Sequence, residues 1–258
     1  MERVAFQIGS ITIHWYGLLV ALGFWLGLWN ASRRGLRAGF HPECVWDAGV
    51  WIVLGTVVGA RALYVMTFWR ANFAGQPLKE IFMIQHGGLV FYGGLIGASL
   101  ATVGYLLAKH IPLWKFGDAL APSIALGYAV GRLGCLMNGC CYGRPTNLPW
   151  AIHFPADHET QGVGVHPTQV YDSLLSLGLF GLLAWWFPRR KFDGQIFALY
   201  LVGYAVLRSV VELFRGDYPS YWGGWATQAH LISAGILAVG LGLLWLLPRR
   251  QCQSKEIS

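Results

Sequence analysis

Apolar residues dominate seven stretches of the chain, each about twenty positions long, the length a helix needs to cross a bilayer. They lie near Ile11–Ala31, Val45–Met66, Gly88–Lys109, Phe116–Asn138, Pro167–Phe187, Gly194–Leu213 and Thr227–Leu247. Each is expected to be helical, because an open strand in lipid leaves its backbone polar groups unpaired. The apolar–polar alternation of a membrane barrel is absent from these runs. The pattern predicts an all-α polytopic membrane protein: a bundle of seven transmembrane helices in one integral domain over residues 1–258. Its longer loops, 67–87, 139–166 and 214–226, are expected to face outward. They hold Pro, Asn, Trp and Asp in irregular order, as functional loops often do.

Composition agrees. Of 258 residues, 55% are hydrophobic and 12% charged, against about 25% charged in soluble domains. A disordered chain is excluded by this apolar content. With 34 Gly in no period of three and only five Cys, neither a collagen-like chain nor a disulfide scaffold fits. The first span has a weak basic start and no small-residue cleavage site, so it reads as a retained helix rather than a signal peptide. Charge then sets topology. Eleven of the 19 Lys and Arg (Arg33, Arg34, Arg37, Lys109, Lys115, Arg189, Arg190, Lys191, Arg249, Arg250 and Lys255) fall on one side, and five (Arg3, Arg70, Lys79, Arg144 and Arg215) on the other. The positive-inside rule makes the richer side cytoplasmic, which puts the N-terminus outside and the C-terminus in the cytoplasm. The net charge of +7 is therefore topological, and no nucleic-acid partner is expected.

Three arginines, Arg61, Arg132 and Arg208, interrupt apolar helices. An Arg near the bilayer centre costs at least ~2.5 kcal/mol and usually marks a function. For Arg61 a structural and a functional role weigh equally, while function is favoured for Arg132 and Arg208. Tyr204, Arg208, Glu212 and Arg215 recur at helical spacing and form one polar stripe, with Glu212 as partner of Arg208. Such a stripe must face the bundle interior or a wet cleft, and it suits an anionic, amphipathic ligand. Two guanidiniums from separate helices fit a phospholipid head group, because their paired donors match phosphate where an ammonium does not. Gly127, Gly131 and Gly134, like Gly93, Gly94 and Gly97, are expected to bring helices close together. The glycine-rich run His86-Gly87-Gly88 has no strand before it and no Lys-Ser/Thr after it, so it is not a phosphate loop.

Taken together, the motifs resemble those of bacterial prolipoprotein diacylglyceryl transferases. In chain order the similar elements are His14-Trp15-Tyr16-Gly17-Leu18, Gly59-Ala60-Arg61 and Phe91-Tyr92-Gly93-Gly94-Leu95-Ile96-Gly97. There follow Gly131-Arg132-Leu133-Gly134 with Asn138-Gly139 and Gly143-Arg144, then His166-Pro167-Thr168-Gln169-Val170-Tyr171, then Tyr204, Arg208, Glu212, Phe214 and Arg215. The chain departs from the family pattern in having Tyr92 before Gly-Gly where many members have His, and Cys135 and Cys140 at the usual Asn and Glu.

The resemblance implies an enzyme of the bacterial inner membrane that moves a diacylglyceryl group from phosphatidylglycerol to the lipobox cysteine of a prolipoprotein signal peptide. A thioether forms and glycerol phosphate leaves, with no cofactor. It implies Arg132 and Arg208 at the departing phosphate and His86 or Tyr92 as proton acceptor. Tyr16, Arg61, Asn138, Gly143, Tyr204, Glu212 and Arg215 are implied in holding head group or peptide. The alternative weighed is a membrane transporter for a small anion or a phospholipid-related solute, although the inverted repeats and broken helices of transporters are not seen. Cys135, Cys140 and Cys141 cluster on the outward side, where a disulfide or plain packing ranks before a metal site; no metal is expected.

Overall fold

The computed structural model describes residues 4–9, 11–83, 87–216 and 227–256. Seven long helices follow one another: α1 (Trp15–Ala38), α2 (Glu43–Thr67), α3 (Phe91–Ala108), α4 (Leu113–Asn138), α5 (Thr168–Trp186), α6 (Gln195–Glu212) and α7 (Gln228–Glu256). Among the described residues, α2 to α7 each contain a segment long and apolar enough to cross a membrane. Helix α1 has 24 residues but is diluted by Trp15, Tyr16, Trp25, Trp29 and Asn30, residues that lower a hydropathy average although Trp and Tyr sit well at membrane interfaces.

The first span differs from expectation. Ile11–His14 is not helical but forms strand β2, paired antiparallel with β1 (Val4–Ile8). Gly9, at φ +61°, supplies the left-handed turn between them. The sequence Ile11-Thr12-Ile13 is β-branched throughout, which lowers its helix propensity and suits a strand; apolar content alone does not reveal this. At its other end α1 runs on through Arg33, Arg34 and Arg37, which therefore lie on the helix and not in a loop. It stops at Gly39, φ +87°, where Phe40 N–H bonds Gly35 O at 3.1 Å, a helix end that needs the left-handed residue.

The chain forms two compact units, Ser32–Phe116 and Met1–Ala31 with Gly117–Ser258. In the first, α2 and α3 touch backbone to backbone. A Cβ placed on Gly97 would lie 2.1 Å from Gly55 O, and one on Gly93 would lie 2.4 Å from Gly59 O. Both contacts are shorter than any real side chain allows, so the approach requires glycine on both helices. Val90 N–H bonds Ala60 O at 3.1 Å where α3 begins.

In the second unit α1 meets α4 by the same device, since a Cβ on Gly23 would fall 2.7 Å from Gly127 O. Gly131, expected on that face, has open space beside it. Helix α5 packs on α6, with Gly203 under Leu179, and α6 on α7, with Gly240 against Val202. Asp118 is fully buried near the start of α4. Its carboxylate accepts the N–H groups of Gly194 (2.8 Å), Ile196 (2.8 Å) and Phe197 (3.0 Å), with Arg190 Nε at 3.8 Å. It thus caps α6 from another helix, satisfying donors that a helix start leaves unpaired.

Candidate active site

At the opposite end of α4 stands Arg132. Its Nη2 donates a hydrogen bond to Tyr128 Oη, one turn earlier. Its Nε lies 3.0 Å from Asp172 Oδ2 on α5, and the guanidinium covers the Tyr128 ring at 4.8 Å. Tyr128 Oη donates in turn to Asp172 at 3.3 Å. Ser173, beside Asp172, donates to Ala129 O at 2.9 Å and fixes α5 against α4 at this level.

Helix α6 brings the second cation. Arg208 Nη1 is 2.7 Å from Glu212 Oε2, the i,i+4 pair expected from the spacing. Glu212 is 2% exposed and also accepts from Thr227 Oγ1 at 2.8 Å. The helix stops at Glu212, so Arg215 lies just past the end of the stripe, in a turn whose N–H bonds Glu212 O at 3.2 Å. Its Nε still reaches Glu212 at 3.8 Å. Tyr204 sets its ring edge-on to Tyr128 at 5.8 Å and stacks on Tyr200 at 6.0 Å.

A cleft between α4, α5 and α6 joins the two clusters. Tyr128, Asp172, Tyr200, Tyr204 and Arg208 line it with Ala125, Ser176, Leu179 and Leu207. Asp172 interacts electrostatically with Arg132, Arg208 and Arg215 together. Among the described residues, three guanidiniums, those of Arg132, Arg208 and Arg215, thus gather around two buried carboxylates, Asp172 and Glu212. Burying such groups is costly unless they are paired and hydrogen-bonded. A negative charge beside these guanidiniums would meet them in a medium of low dielectric constant, where they act strongly.

The loop after α4 frames the mouth. Gly143 N–H bonds His166 O at 2.9 Å, Arg144 N–H bonds Phe214 O at 2.8 Å, and Arg144 Nε bonds Arg215 O at 3.0 Å. A Cβ on Gly143 would stand 2.5 Å from His166 Cβ and 2.7 Å from Phe214 O, so this crossing admits only glycine. The strands β3 (Ile152–His153) and β4 (Gly164–Val165) pair nearby over a small core of Leu136, Phe154 and Val165. Gln169, 1% exposed, donates to Cys140 O at 2.7 Å, and its Oε1 has no donor among the described residues. Cys135, Cys140 and Cys141 are free thiols. The Cys141 thiol is held below its ordinary range by hydrogen bonds from Cys135 and Cys140 and by the charges of Arg215 and Arg132.

The structure therefore brings Arg132, Tyr204, Arg208, Glu212 and Arg215 together and adds Tyr128 and Asp172, which sequence reasoning did not single out. Tyr16, exposed in the first turn of α1, interacts electrostatically with the three cysteines and Arg132. Asn138 is exposed at the last residue of α4. Arg61 and Tyr92 belong to the other unit. There Arg61 is buried and donates to four carbonyls: Glu80 and Gly87 at 2.6 Å, Ile81 at 2.9 Å and Gly88 at 3.2 Å. It ties the segment before α3 to α2. Tyr92 is exposed in the first turn of α3. His86 lies outside the described residues.

Comparison with known proteins gives one answer. The family model described as prolipoprotein diacylglyceryl transferase matches residues 3–246. The chain is 40% identical over 242 residues to the phosphatidylglycerol–prolipoprotein diacylglyceryl transferase of Finegoldia magna, covering 93% of this chain and 94% of that protein. It is 36% identical over 251 residues to the enzyme of that name from Synechococcus elongatus, covering 93% and 86%. It is 38% identical over 250 residues to that from Bordetella bronchiseptica, covering 94% of each.

Proposed function

The chain belongs to the prolipoprotein diacylglyceryl transferase family, and on that premise we propose how its residues carry out the transfer. The protein is a multi-pass membrane enzyme of this transferase class, and the names of its relatives favour transfer over anion transport. The donor is phosphatidylglycerol and the acceptor a prolipoprotein cysteine at the lipobox. The site opens on the outer face of a bacterial inner membrane, with the N-terminus outside and the C-terminus in the cytoplasm; the distribution of basic residues supports this orientation.

The acceptor sulfur attacks the glycerol carbon that bears the phosphate ester. A carbon–sulfur bond forms, the carbon–oxygen bond breaks, and its electron pair leaves on glycerol phosphate. Charge on the departing oxygen rises along this path, so fixed cations lower the barrier by favouring the transition state over the bound lipid. Arg208 takes the phosphate from the cleft wall. Arg132 stands behind that wall and fixes Tyr128 and Asp172, while Arg215 and Glu212 hold Arg208 in place. Tyr204 bounds the cleft on the side of the glycerol, and Gln169 Oε1 is available to a substrate hydroxyl or amide. Arg61 acts by holding its loop. For the thiol proton the candidates are His86 and Tyr92, and full transfer by a His86→Ala, Tyr92→Phe chain would remove both from that role.

The observation that carries this reading is the gathering of the Arg132, Arg208 and Arg215 guanidiniums around Asp172 and Glu212 inside an apolar bundle. Purified protein incubated with phosphatidylglycerol and a lipobox peptide is expected to yield the diacylglyceryl peptide by mass spectrometry, with one glycerol phosphate released per peptide. An unmodified peptide under conditions where a relative reacts would refute the reading.

A further inference from the structure

Three thiols converge where α4 ends. The Sγ atoms of Cys135, Cys140 and Cys141 all lie within 4.8 Å of one another. An ion bonded to several thiolates at about 2.3 Å in tetrahedral geometry needs sulfurs roughly 3.8 Å apart, so one cation fits with small side-chain adjustments. The backbone holds the thiols in this arrangement. Gly139 and Cys141 both take positive φ, +76° and +62°, the second unusual for a residue with a side chain. Gln169 Nε2 and Thr168 Oγ1, at the start of α5, bond the carbonyls of Cys140 at 2.7 Å and Cys141 at 2.6 Å. Three sulfurs converge here, one more than a disulfide uses. The guanidiniums of Arg132 and Arg215 lie close enough to Cys141 to interact with it electrostatically.

We propose that Cys135, Cys140 and Cys141 bind one thiophilic cation, Zn²⁺, as three thiolates, and that its fourth position receives the acceptor cysteine. The second half rests on the transferase reading above. A closed structural zinc site has four protein ligands, whereas three leave a place for substrate. A thiol bound to zinc loses its proton outright at neutral pH: the sulfur–hydrogen bond breaks, a zinc–sulfur bond forms and the proton passes through the acceptor named above to solvent. That sulfur then attacks the glycerol carbon as described, with no change of oxidation state. Cys135 lies one turn beyond Arg132 on α4, so the activated sulfur stands beside the Arg132–Asp172 pair behind the cleft wall.

The test uses the full chain, purified in detergent and stripped of metal. Zn²⁺, and Co²⁺ as a coloured probe, should each bind at one equivalent, Co²⁺ with sulfur charge-transfer absorption, and the C135S/C140S/C141S variant should lose both. Zn²⁺ should also slow alkylation of these thiols in the unsubstituted chain at least tenfold, a readout that does not depend on the variant folding. Binding that is absent in the unsubstituted chain, binding that is unchanged in the variant, or a disulfide among the three in protein taken from membranes would each overturn the site. Stripping is expected to lower transfer at least tenfold and Zn²⁺ to restore it; full transfer without metal would overturn the role of the fourth position. A chain that binds Zn²⁺ at the cysteines yet transfers nothing in either state would instead count against the transferase reading.

Discussion

At the scale of single residues, the decisive property is the planar guanidinium. Arg208 uses one edge for Glu212 at 2.7 Å, and a fork can hold a carboxylate on one side while presenting further donors to a phosphate. A lysine keeps the charge but not this double engagement. Arg208→Lys is expected to insert normally and to lose about 10²–10³-fold in turnover, the usual cost of removing one oriented donor from a charge-stabilising site; steady-state transfer rates check this. The arginines could be read from the sequence because a cation in an apolar run has few explanations. Tyr128 was legible in principle, being four residues before Arg132 and on its face. Asp172 was not, because it gains its meaning only from partners on other helices, and no local spacing encodes a contact over forty residues of chain.

Among elements, close approach between helices rests on glycine. The contact between Gly97 and Gly55 leaves no room for a methyl group, so Gly97→Ala must push α3 off α2. The expected cost is roughly 1–3 kcal/mol, in line with other overpacked cores, seen as a lower unfolding temperature in detergent; Gly104→Ala, with open space beside it, should change little. These glycine faces were readable as patterns on one helix, yet which helix each would meet was not. The N-terminal hairpin was missed for a related reason, since Ile11–His14 extends the apolar run of α1 and differs from it only in β-branching. The cysteines follow the same rule. Their sequence showed a cluster, while the backbone turn that brings the three sulfurs together depends on bonds from α5.

For the molecule as a whole, basic residues predict the direction of insertion. A cysteine at Lys191 should react with an impermeant maleimide only once the inner side is opened, whereas one at Asp157 should react in intact cells, each compared with the unsubstituted chain. Equal labelling of both from outside would reverse the topology.

Asp118 fixes a distance as well as a helix end. It clasps the first turn of α6 at one end of the bundle, while Arg132, fourteen residues along the same α4, stands behind the cleft wall at the other, about 21 Å away at 1.5 Å per residue. Helix α4 therefore serves as a ruler that sets how far α6 is pushed through the bilayer, and so the depth at which Arg208 meets a lipid. Asp118→Asn keeps the shape but forfeits the charge in a buried cap, with an expected cost of about 1–3 kcal/mol. Turnover with the membrane-bound donor should fall although the altered atom lies on the far leaflet, and a short-chain donor soluble in detergent should recover more of the rate than a native lipid.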